Sequence, residues 1–432
     1  MSSSIIITTA PTGLGHIRVT NALLAGLPKG TSAHVLGIQD ESISFTYHLI
    51  STNYYLRKVL EFTQTNTTAE KIVTPILNYI QTRKINDTVK DIEKIIEADK
   101  PDKLVIVSTH AFIAQKIARI VRHKLVNIPI YHAVIVTDDS PQRFWMVDAD
   151  NIFVPSTQTK SKLEELFREE SRQLPSIEVV PYPINPKYCQ LLDPSILYNK
   201  TEQLTPENPQ KARICIPVSG AAVQLDFYKT LIDELTSEEI KKESREFKFS
   251  VVTKEGNYTK PFIDYLRNNS EVVFHIGVND FQTVQIYDRL YEQLNPPALE
   301  ITKPSEQCFK VLTTPDTIGG PILLLTEPVG RQEYDNLAYL KRFKFLPDDE
   351  THQRLFYTLC HENQQLNLNE YPQANTWRAL CLPIDPIEAT RFIINGLKSG
   401  LFLAMQNYKK HAESVEISPS GVVRIWEKVL RN

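Results

Sequence analysis

Short runs of aliphatic and β-branched residues alternate along this chain with longer stretches in which hydrophobic positions recur at helical spacing. Such alternation is typical of β-α-β units, in which helices join parallel strands, and it predicts an α/β fold. The predicted strands are Ile5–Thr9, Ala33–Ile38, Leu104–Ser108, Ile130–Val136, Asn151–Val154, Ile177–Val180, Arg213–Val218, Phe247–Val252, Val272–Ile276, Ala298–Ile301 and Pro321–Leu325. The predicted helices include His16–Leu27, Ala114–His123, Gln224–Leu235, Lys260–Asn268, Pro386–Ser399 and Gly421–Leu430.

The pattern breaks between residues 193 and 211, where the sequence is polar, contains prolines and has no clear period. We interpret this stretch as a linker between a first domain, residues 1–192, and a second domain, residues 212–385. Each domain opens with a strand, a glycine turn and a helix, which predicts two Rossmann-like domains with parallel sheets. An insertion rich in Asn and Gln is expected near residues 350–375, followed by C-terminal helices at 386–432, the last of which is a candidate to pack back on the first domain.

Composition narrows the possible functions. The chain has 432 residues, of which 42% are hydrophobic and 23% charged, the balance of a globular protein large enough for two or three domains. A net charge of -3 argues against a protein that binds nucleic acid by neutralising many phosphates. Five scattered cysteines without a paired spacing indicate reduced thiols in a cytoplasmic protein, with no metal site. No secretory signal or bilayer-spanning apolar stretch is recognisable, so any membrane contact is expected to be peripheral.

The first candidate site follows the first predicted strand, at Gly13, Gly15 and His16. Glycines there let the backbone turn sharply and approach a ligand, and the N–H groups at the start of the next helix can bind an oxyanion. An imidazole at a helix N-terminus tends to stay neutral, so His16 is a candidate to accept a proton. The same residues also fit a tight turn with a structural histidine, and both interpretations stay open.

Two further groups of polar residues are candidates. Asp138 and Asp139 follow a predicted strand, at the edge where open α/β sheets place their ligands, although strand-end acids also commonly cap the next turn. Gln332, Glu333 and Asn336 share the first turns of a helix predicted to begin near Arg331. Together they can hydrogen-bond the hydroxyls of a sugar, although acids are common at any helix start.

Eight short segments occur in an order that resembles one known family. They are Gly13–His16, Ser108–His110, Thr137–Asp138 with Trp145 and Asp150–Ser156, Pro183–Pro186, Ser219–Ala221, His275–Val278, Thr302–Pro304 and Gln332–Asn336. This order, over roughly residues 1–345, resembles the GT-B glycosyltransferases that include monogalactosyldiacylglycerol synthase, the processive diacylglycerol glucosyltransferases and the lipid II N-acetylglucosaminyltransferase.

The resemblance implies two facing Rossmann-like domains, the first holding an acceptor and the second a UDP-sugar. It makes His16 and Asp138 the candidate base and base-orienting residue. On the acceptor side it implies roles for Gly13, Gly15, His110, Asp139 and Trp145. On the donor side it implies roles for Ser219, Gly220, Val278, Lys303, Ser305, Gln332, Glu333 and Asn336.

The implied reaction is an inverting sugar transfer to a lipid or lipid-linked acceptor, with no metal or other cofactor, because helix N-termini and backbone N–H groups can stabilise the leaving UDP. A cytoplasmic protein on the inner face of a membrane fits this acceptor. Two segments with basic residues, Tyr54–Lys58 and Lys116–Lys124, are candidates to contact anionic lipids, although a solvated basic face explains them too.

Four positions depart from the family pattern. Ser305 and Glu306 replace a pair of glycines, Val311 stands where an acid should grip the ribose, and Gln142 replaces a histidine. Ser305, Glu306 and Val311 support an alternative: a GT-B protein that binds or regulates without catalysing transfer. A nucleotide-sugar epimerase, which shares the architecture, is a further alternative.

Overall fold

The computed structural model of this chain describes residues 2–10, 14–37, 66, 69–75, 85–206, 208, 211–218, 224–243, 245–327, 330–361 and 366–431. The chain divides into two compact units. The first comprises Met1–Lys187, Val329–Asp335 and Glu413–Asn432, and the second comprises Tyr188–Pro328 and Asn336–Ala412. Each unit contains one six-stranded parallel sheet, which confirms the predicted α/β fold with Rossmann-like parallel sheets.

The sheet of the first unit has the strand order β2-β1-β3-β4-β5-β6. Its strands are β1 (Ser3–Thr8), β2 (Ala33–Leu36), β3 (Lys103–Ser108), β4 (Ile130–Ile135), β5 (Asn151–Val154) and β6 (Ser176–Val179). Strand β1 has the apolar centre Ile5–Ile7 and β3 has the apolar run Leu104–Val107. Almost every side chain of both strands is buried, as expected for parallel strands covered on both faces. The helices that follow these strands are α1 (Leu14–Ala25), α2 (Ile85–Asp99), α3 (Ala111–Arg122) and α4 (Thr157–Glu169).

The second unit has the strand order β9-β8-β7-β10-β11-β12, the order of a Rossmann fold. Its strands are β7 (Ala212–Pro217), β8 (Phe247–Lys254), β9 (Val272–Gly277), β10 (Leu299–Thr302), β11 (Ile322–Leu324) and β12 (Ala379–Cys381). Its helices are α5 (Pro194–Glu202), α6 (Leu225–Leu235), α7 (Glu238–Glu243), α8 (Lys260–Leu266), α9 (Asp280–Leu290), α10 (Arg331–Arg342, whose first turn belongs to the first unit), α11 (Asp349–Cys360), α12 (Pro386–Lys398) and α13 (Leu401–Gln406).

Strand order decides where each sheet can bind a ligand. In an open parallel sheet, the crevice forms beyond the carboxyl ends of the two adjacent strands from which the chain winds in opposite directions. That switch point lies between β1 and β3 in the first unit and between β7 and β10 in the second. The loops that leave these four strands are therefore the places to look for functional side chains.

The linker expected at residues 193–211 is wrong in its first half, which forms helix α5 of the second unit. Asp193 caps this helix by accepting a hydrogen bond from Ser195 N (2.8 Å), and Pro194 occupies its first turn. Lys200 is buried, and its ammonium group donates to the carbonyl oxygens of Pro315 (3.1 Å), Thr317 (3.2 Å) and Gly319. Polarity along the sequence does not distinguish such a buried lysine from one that faces solvent.

Two later segments complete the units. Helix α11 begins the region expected to be an insertion, and it buries Leu355 and Leu359 in the core of the second unit. Helix α14 (Gly421–Val429) belongs to the first unit, where Trp426 Nε1 donates to the carbonyl oxygen of Leu23 (2.9 Å). Gly26 permits this close packing, because a Cβ atom there would lie 2.1 Å from Val422 Cγ1.

Two further expectations concern the whole chain. All five cysteines lie in the described residues and none forms a disulfide, as predicted. Across the described ranges, every helix is too short or too polar to cross a bilayer.

Candidate functional site

His16 stands at the switch point of the first sheet, in the first turn of α1. Its Nδ1 atom lies 2.9 Å from the carbonyl oxygen of Thr109, the residue that follows β3. The same nitrogen lies 3.2 Å from Thr137 Oγ1, in the loop that follows β4. Loops from three strands of the sheet thus converge on one half-buried imidazole.

The contact with Thr109 determines which tautomer of His16 is stable. A carbonyl oxygen only accepts hydrogen bonds, so the proton of the neutral ring belongs on Nδ1. Nε2 then carries the lone pair and is the nitrogen that can accept a proton. The local geometry therefore gives His16 the form that a general base needs.

Threonine hydroxyls fix the backbone around His16. Thr20 Oγ1 donates to the carbonyl oxygen of His16 (2.8 Å) and lies 3.1 Å from Thr109 Oγ1. Thr109 is itself held against β1, because its backbone N–H donates to the carbonyl oxygen of Thr8 (2.9 Å). Thr8, Thr20, Thr109 and Thr137 are all fully buried. The imidazole is therefore attached to a rigid part of the fold.

His110 lies beside His16, with the ring centroids 4.6 Å apart and the planes at 74°. It occupies the N-cap position of α3 and is buried. Burial, and then the proximity of His16 and Lys116, holds the pKa of His110 well below its usual value. His110 is thus a neutral neighbour of His16 at physiological pH.

The two candidate aspartates differ in their surroundings. Both are buried, and both follow β4. Asp139 Oδ1 accepts hydrogen bonds from Ser156 Oγ and from Thr159 Oγ1 (2.7 Å). Because Ser156 caps helix α4, Asp139 fixes the start of that helix. The base-orienting role of Asp138 stays a prediction, since the contacts that hold His16 Nδ1 come from Thr109 and Thr137.

Trp145 lies in the core rather than in an open crevice. It is 2% exposed, within a short 3-10 helix (Arg143–Trp145), and packs in a hydrophobic cluster with Val134 and Leu163. Gly15 is buried in the first turn of α1. Gly13, the other glycine of this candidate site, lies outside the described residues.

In the second unit, the loop after β10 carries Lys303 and Ser305 at the switch point. Ser305 N donates to the carbonyl oxygen of Lys303 (2.8 Å), which turns the chain into a 3-10 helix over Glu306–Leu312. Asn336, in helix α10, is fully buried and its Nδ2 donates to the carbonyl oxygen of Pro304 (3.1 Å). The structure thus brings together two of the segments predicted to bind the donor, the Lys303–Ser305 loop and the helix with Asn336.

The 3-10 helix stands where the family pattern has a glycine loop. Glu300, in β10, fixes it through a buried network: Tyr287 Oη (2.7 Å), Tyr291 Oη (2.6 Å), Lys310 Nζ (2.7 Å) and the Gln307 amide all donate to its carboxylate. Lys310 and these donors keep the pKa of Glu300 below its usual value despite the burial that opposes them. Val311 is 1% exposed within the same helix, so its side chain is part of the core.

Helix α10 supplies the remaining donor candidates. Glu333 is 2% exposed, and its backbone N–H donates to the carbonyl oxygen of Gly330 (3.1 Å). The buried Oε1 atom of Gln332 has no hydrogen-bond partner among the described residues. A buried amide oxygen without a donor carries an energetic cost, which a ligand hydroxyl can relieve.

Three other donor candidates remain. Ser219 and Gly220, which follow β7 in the sequence, lie outside the described residues. Val278 follows the edge strand β9 and is 81% exposed, and two strands, β8 and β7, separate β9 from β10. No group of three or more His, Cys, Asp or Glu residues that could hold a metal ion occurs in the described part of the chain.

The sequence placed Thr109 and Thr137 in two of the family-like segments but did not indicate that they contact His16. Thr109 acts through its backbone carbonyl, which leaves no mark on residue type, and Thr137 is 121 positions away along the chain. The strand order β1-β3-β4 in the sheet is the signal that would have located both, because Thr109 follows β3 and Thr137 follows β4.

Comparisons with known proteins bear on this arrangement. Residues 31–171, about a third of the chain, match the family model described as monogalactosyldiacylglycerol (MGDG) synthase. The resemblance inferred from the ordered motifs is therefore confirmed over this part of the first unit. No curated protein matches the chain in sequence.

Several solved structures are similar to this chain. A putative UDP-N-acetylglucosamine 2-epimerase from Listeria monocytogenes is 10% identical, with a TM-score of 0.51, over 100% of this chain and 96% of that one. The S. aureus MnaA–UDP co-structure is 10% identical (TM-score 0.49; 100% and 98% covered). The spinosyn rhamnosyltransferase SpnG is 12% identical (TM-score 0.46; 98% and 100% covered). At this identity the Listeria structure establishes the fold alone, which is the GT-B type found in glycosyltransferases and epimerases.

A buried histidine in β4 should make the stability of the protein depend on pH. His132, in β4, is 1% exposed and its Nε2 lies 2.9 Å from Ser108 Oγ, and burial lowers its pKa to about 3. Between pH 6.5 and 3 the unfolded chain binds a proton at this position that the folded chain does not. The free energy of unfolding should therefore fall as the pH is lowered, with about 1.4 kcal/mol per pH unit coming from His132.

Urea unfolding at intervals from pH 7 to pH 4 measures this slope. In His132→Gln, the change in unfolding free energy with pH should be smaller by about 1.4 kcal/mol per pH unit, because this variant lacks the titrating imidazole. An unchanged slope in a folded variant would show that His132 is protonated in the native state as readily as in the unfolded one.

Proposed function

We propose that this protein is an inverting glycosyltransferase that moves a sugar from a UDP-sugar to the hydroxyl of a lipid or lipid-linked acceptor. The observation that carries the proposal is the placement of His16 at the switch point of the first sheet, with Nδ1 against the Thr109 carbonyl oxygen. The resemblance to monogalactosyldiacylglycerol synthase over residues 31–171 favours a lipid acceptor.

In this proposal His16 Nε2 takes the proton of the acceptor hydroxyl as its oxygen attacks the anomeric carbon. The bond from that carbon to the UDP oxygen breaks on the opposite face, and UDP leaves with the electron pair, so the configuration inverts. The Thr109 carbonyl oxygen, still accepting from Nδ1–H, stabilises the imidazolium that forms. Asp138 is proposed to favour the same cation electrostatically.

Residues around His16 would form the acceptor side. Gly13 and Gly15 would let the acceptor approach the start of α1, and the buried, neutral His110 would keep a second positive charge away from the base. Asp139 and Trp145 would act indirectly, by holding the loop after β4 through Ser156 and through the core.

On the donor side, we assign Gln332 and Glu333 to the binding of the sugar hydroxyls. We assign Lys303, Ser305 and Asn336 to the loop that contacts the diphosphate. Further donor contacts are assigned to Ser219, Gly220 and Val278. The unsatisfied Oε1 atom of Gln332 and the buried position of Glu333 support the first assignment. The hydrogen bond from Asn336 to Pro304 supports the second, because it fixes the loop that carries Lys303. Lysine and backbone N–H groups can neutralise the departing diphosphate, so we propose that no metal or other cofactor is required.

We propose that the protein acts in the cytoplasm, at the inner face of a membrane. Arg119, Arg122, His123 and Lys124 are exposed at the end of α3, as a surface for anionic lipids requires, whereas Lys116, expected on the same face, is buried. The other segment expected to contact lipid, Tyr54–Lys58, lies outside the described residues.

One observation favours a second candidate, a GT-B protein that binds or regulates without catalysing transfer. Val311 is part of the core where the family pattern has the acid that grips the ribose, and Glu306 begins a 3-10 helix instead of a glycine loop. A carboxylate in this loop disfavours a diphosphate nearby.

His16→Ala should lower the rate of sugar transfer by about 10²- to 10⁴-fold, because it removes the general base while leaving substrate binding largely intact. The assay is transfer from a panel of UDP-hexoses to diacylglycerol in mixed micelles. His34→Ala, which removes an exposed histidine from β2, is the matched control and should retain wild-type turnover. Equal turnover in His16→Ala and wild type would remove His16 from the mechanism.

Calorimetry with UDP distinguishes the two candidates. The glycosyltransferase should bind UDP saturably, and Lys303→Gln should weaken binding at least tenfold because it removes a positive charge beside the diphosphate. Lys211→Gln, at the opposite edge of the same sheet, is the control and should bind as wild type. No heat of binding at millimolar UDP would favour the non-catalytic protein.

A further inference from the structure

A second cavity lies at the amino-terminal edge of the first sheet. Its volume is about 500 Å³, and its lining includes Arg122, His132, Asp148, Asp150, Arg172 and Leu174. We call it the amino-edge cavity. A volume of this size holds a small organic molecule, since ligand pockets commonly enclose about 300–1,000 Å³.

The amino-edge cavity is separate from the crevice around His16. Asp150 immediately precedes β5, and Arg122 ends α3, the helix that returns the chain from β3 to the start of β4. His16, Thr109 and Thr137 all lie beyond the carboxyl ends of strands in the same sheet. Parallel strands keep their amino and carboxyl ends at opposite edges, so the cavity is not part of the proposed transfer site.

The mouth of the amino-edge cavity contains a carboxylate between two guanidinium groups. Asp148 forms ion pairs with both Arg122 and Arg172 through its two oxygens. Asp148 neutralises one of the two positive charges, and Asp150, which also lines the cavity, carries a second negative charge. Arg172 is held in place because its guanidinium also stacks over the Phe167 ring, 5.2 Å from the centroid. Each guanidinium group has five N–H donors, so the arginine pair retains donors for a second carboxylate.

A buried polar atom in the lining lacks a partner. His132 Nε2 lies 2.9 Å from Ser108 Oγ, whereas the buried Nδ1 atom has no hydrogen-bond partner among the described residues. His132 is 1% exposed and lines the cavity. Buried polar atoms in native proteins are generally satisfied, so a polar group of a bound molecule is the expected partner for this nitrogen.

Apolar groups complete the lining. Leu174 is 45% exposed and Val121 36% exposed, next to Ala118, Ala149 and Pro175. A molecule that bound here would cover these side chains and exchange exposed apolar surface for contact.

We propose that the amino-edge cavity binds a small monocarboxylate with an apolar body, its carboxylate between Arg122 and Arg172 and its body against Leu174 and Val121. A carboxylate fits better than a phosphate monoester because Asp148 and Asp150 already balance the charges of Arg122 and Arg172, so each added negative charge is unfavourable and a monoanion adds the fewest. Asp150, which accepts a hydrogen bond from His132 N (2.7 Å), repels a dianion more strongly than a monoanion. This binding does not depend on UDP-sugar chemistry.

The test is calorimetry and saturation-transfer NMR on the full chain with hexanoate and benzoate, in the absence of any nucleotide. The matching alcohols, hexan-1-ol and benzyl alcohol, are the uncharged controls. We expect saturable binding of at least one acid, with the alcohol of the same body at least tenfold weaker.

Two variants locate the site. Arg172→Gln removes one guanidinium, and Leu174→Asp places a negative charge at the exposed mouth, where folding tolerates it; each should weaken binding at least tenfold. Arg168→Gln, which removes an exposed guanidinium of α4 outside the cavity, is the matched control and should bind as wild type.

The proposal is overturned if neither acid binds at millimolar concentration, if the alcohols bind as well as the acids, or if Leu174→Asp binds with wild-type affinity. Failure of UDP to bind in the earlier calorimetry would leave this result unaffected, so the two proposals fail separately.

Discussion

The hydrogen bond between His16 Nδ1 and the Thr109 carbonyl oxygen depends on the most general feature of the first unit, the adjacency of β1 and β3. Because the two strands are parallel neighbours, the loops that leave them emerge side by side at the same edge. The start of α1 and the end of β3 therefore meet without any special sequence. Buried threonine hydroxyls then fix the backbone on both sides of the contact. The tautomer of His16 with its proton on Nδ1 thus follows from sheet topology.

The sequence was sufficient for the strands and for much of the candidate site. Strand β3 and its neighbours have short, buried apolar centres of strand length. The polar residues that follow them indicate the carboxyl edge of the sheet. The sequence was insufficient wherever a polar residue is buried through tertiary contacts. Lys200 sits in a stretch that reads as a linker, yet three carbonyl oxygens satisfy it inside the second unit. The Thr109 carbonyl could not be found either, because every residue has one.

The second unit shows how one buried charge can reshape a loop. Glu300 gathers two tyrosines, a lysine and an amide, and two of these groups, Gln307 and Lys310, lie in the 3-10 helix that follows the Lys303 loop. A fully satisfied buried network of this kind holds its members in one arrangement. Any nucleotide that binds at this switch point therefore contacts a preformed loop. Its affinity should depend directly on the charges and hydrogen-bonding groups of that loop.

The tautomer of His16 is the most direct test of the proposed general base, because Nε2 can accept a proton only if the proton of the neutral ring is on Nδ1. Nitrogen NMR of the ¹⁵N-histidine-labelled protein separates the two tautomers by the chemical shifts of the ring nitrogens, and the His16→Gln spectrum assigns the signal. We expect a neutral His16 protonated at Nδ1 and unprotonated at Nε2. A neutral ring with its proton on Nε2 would contradict it.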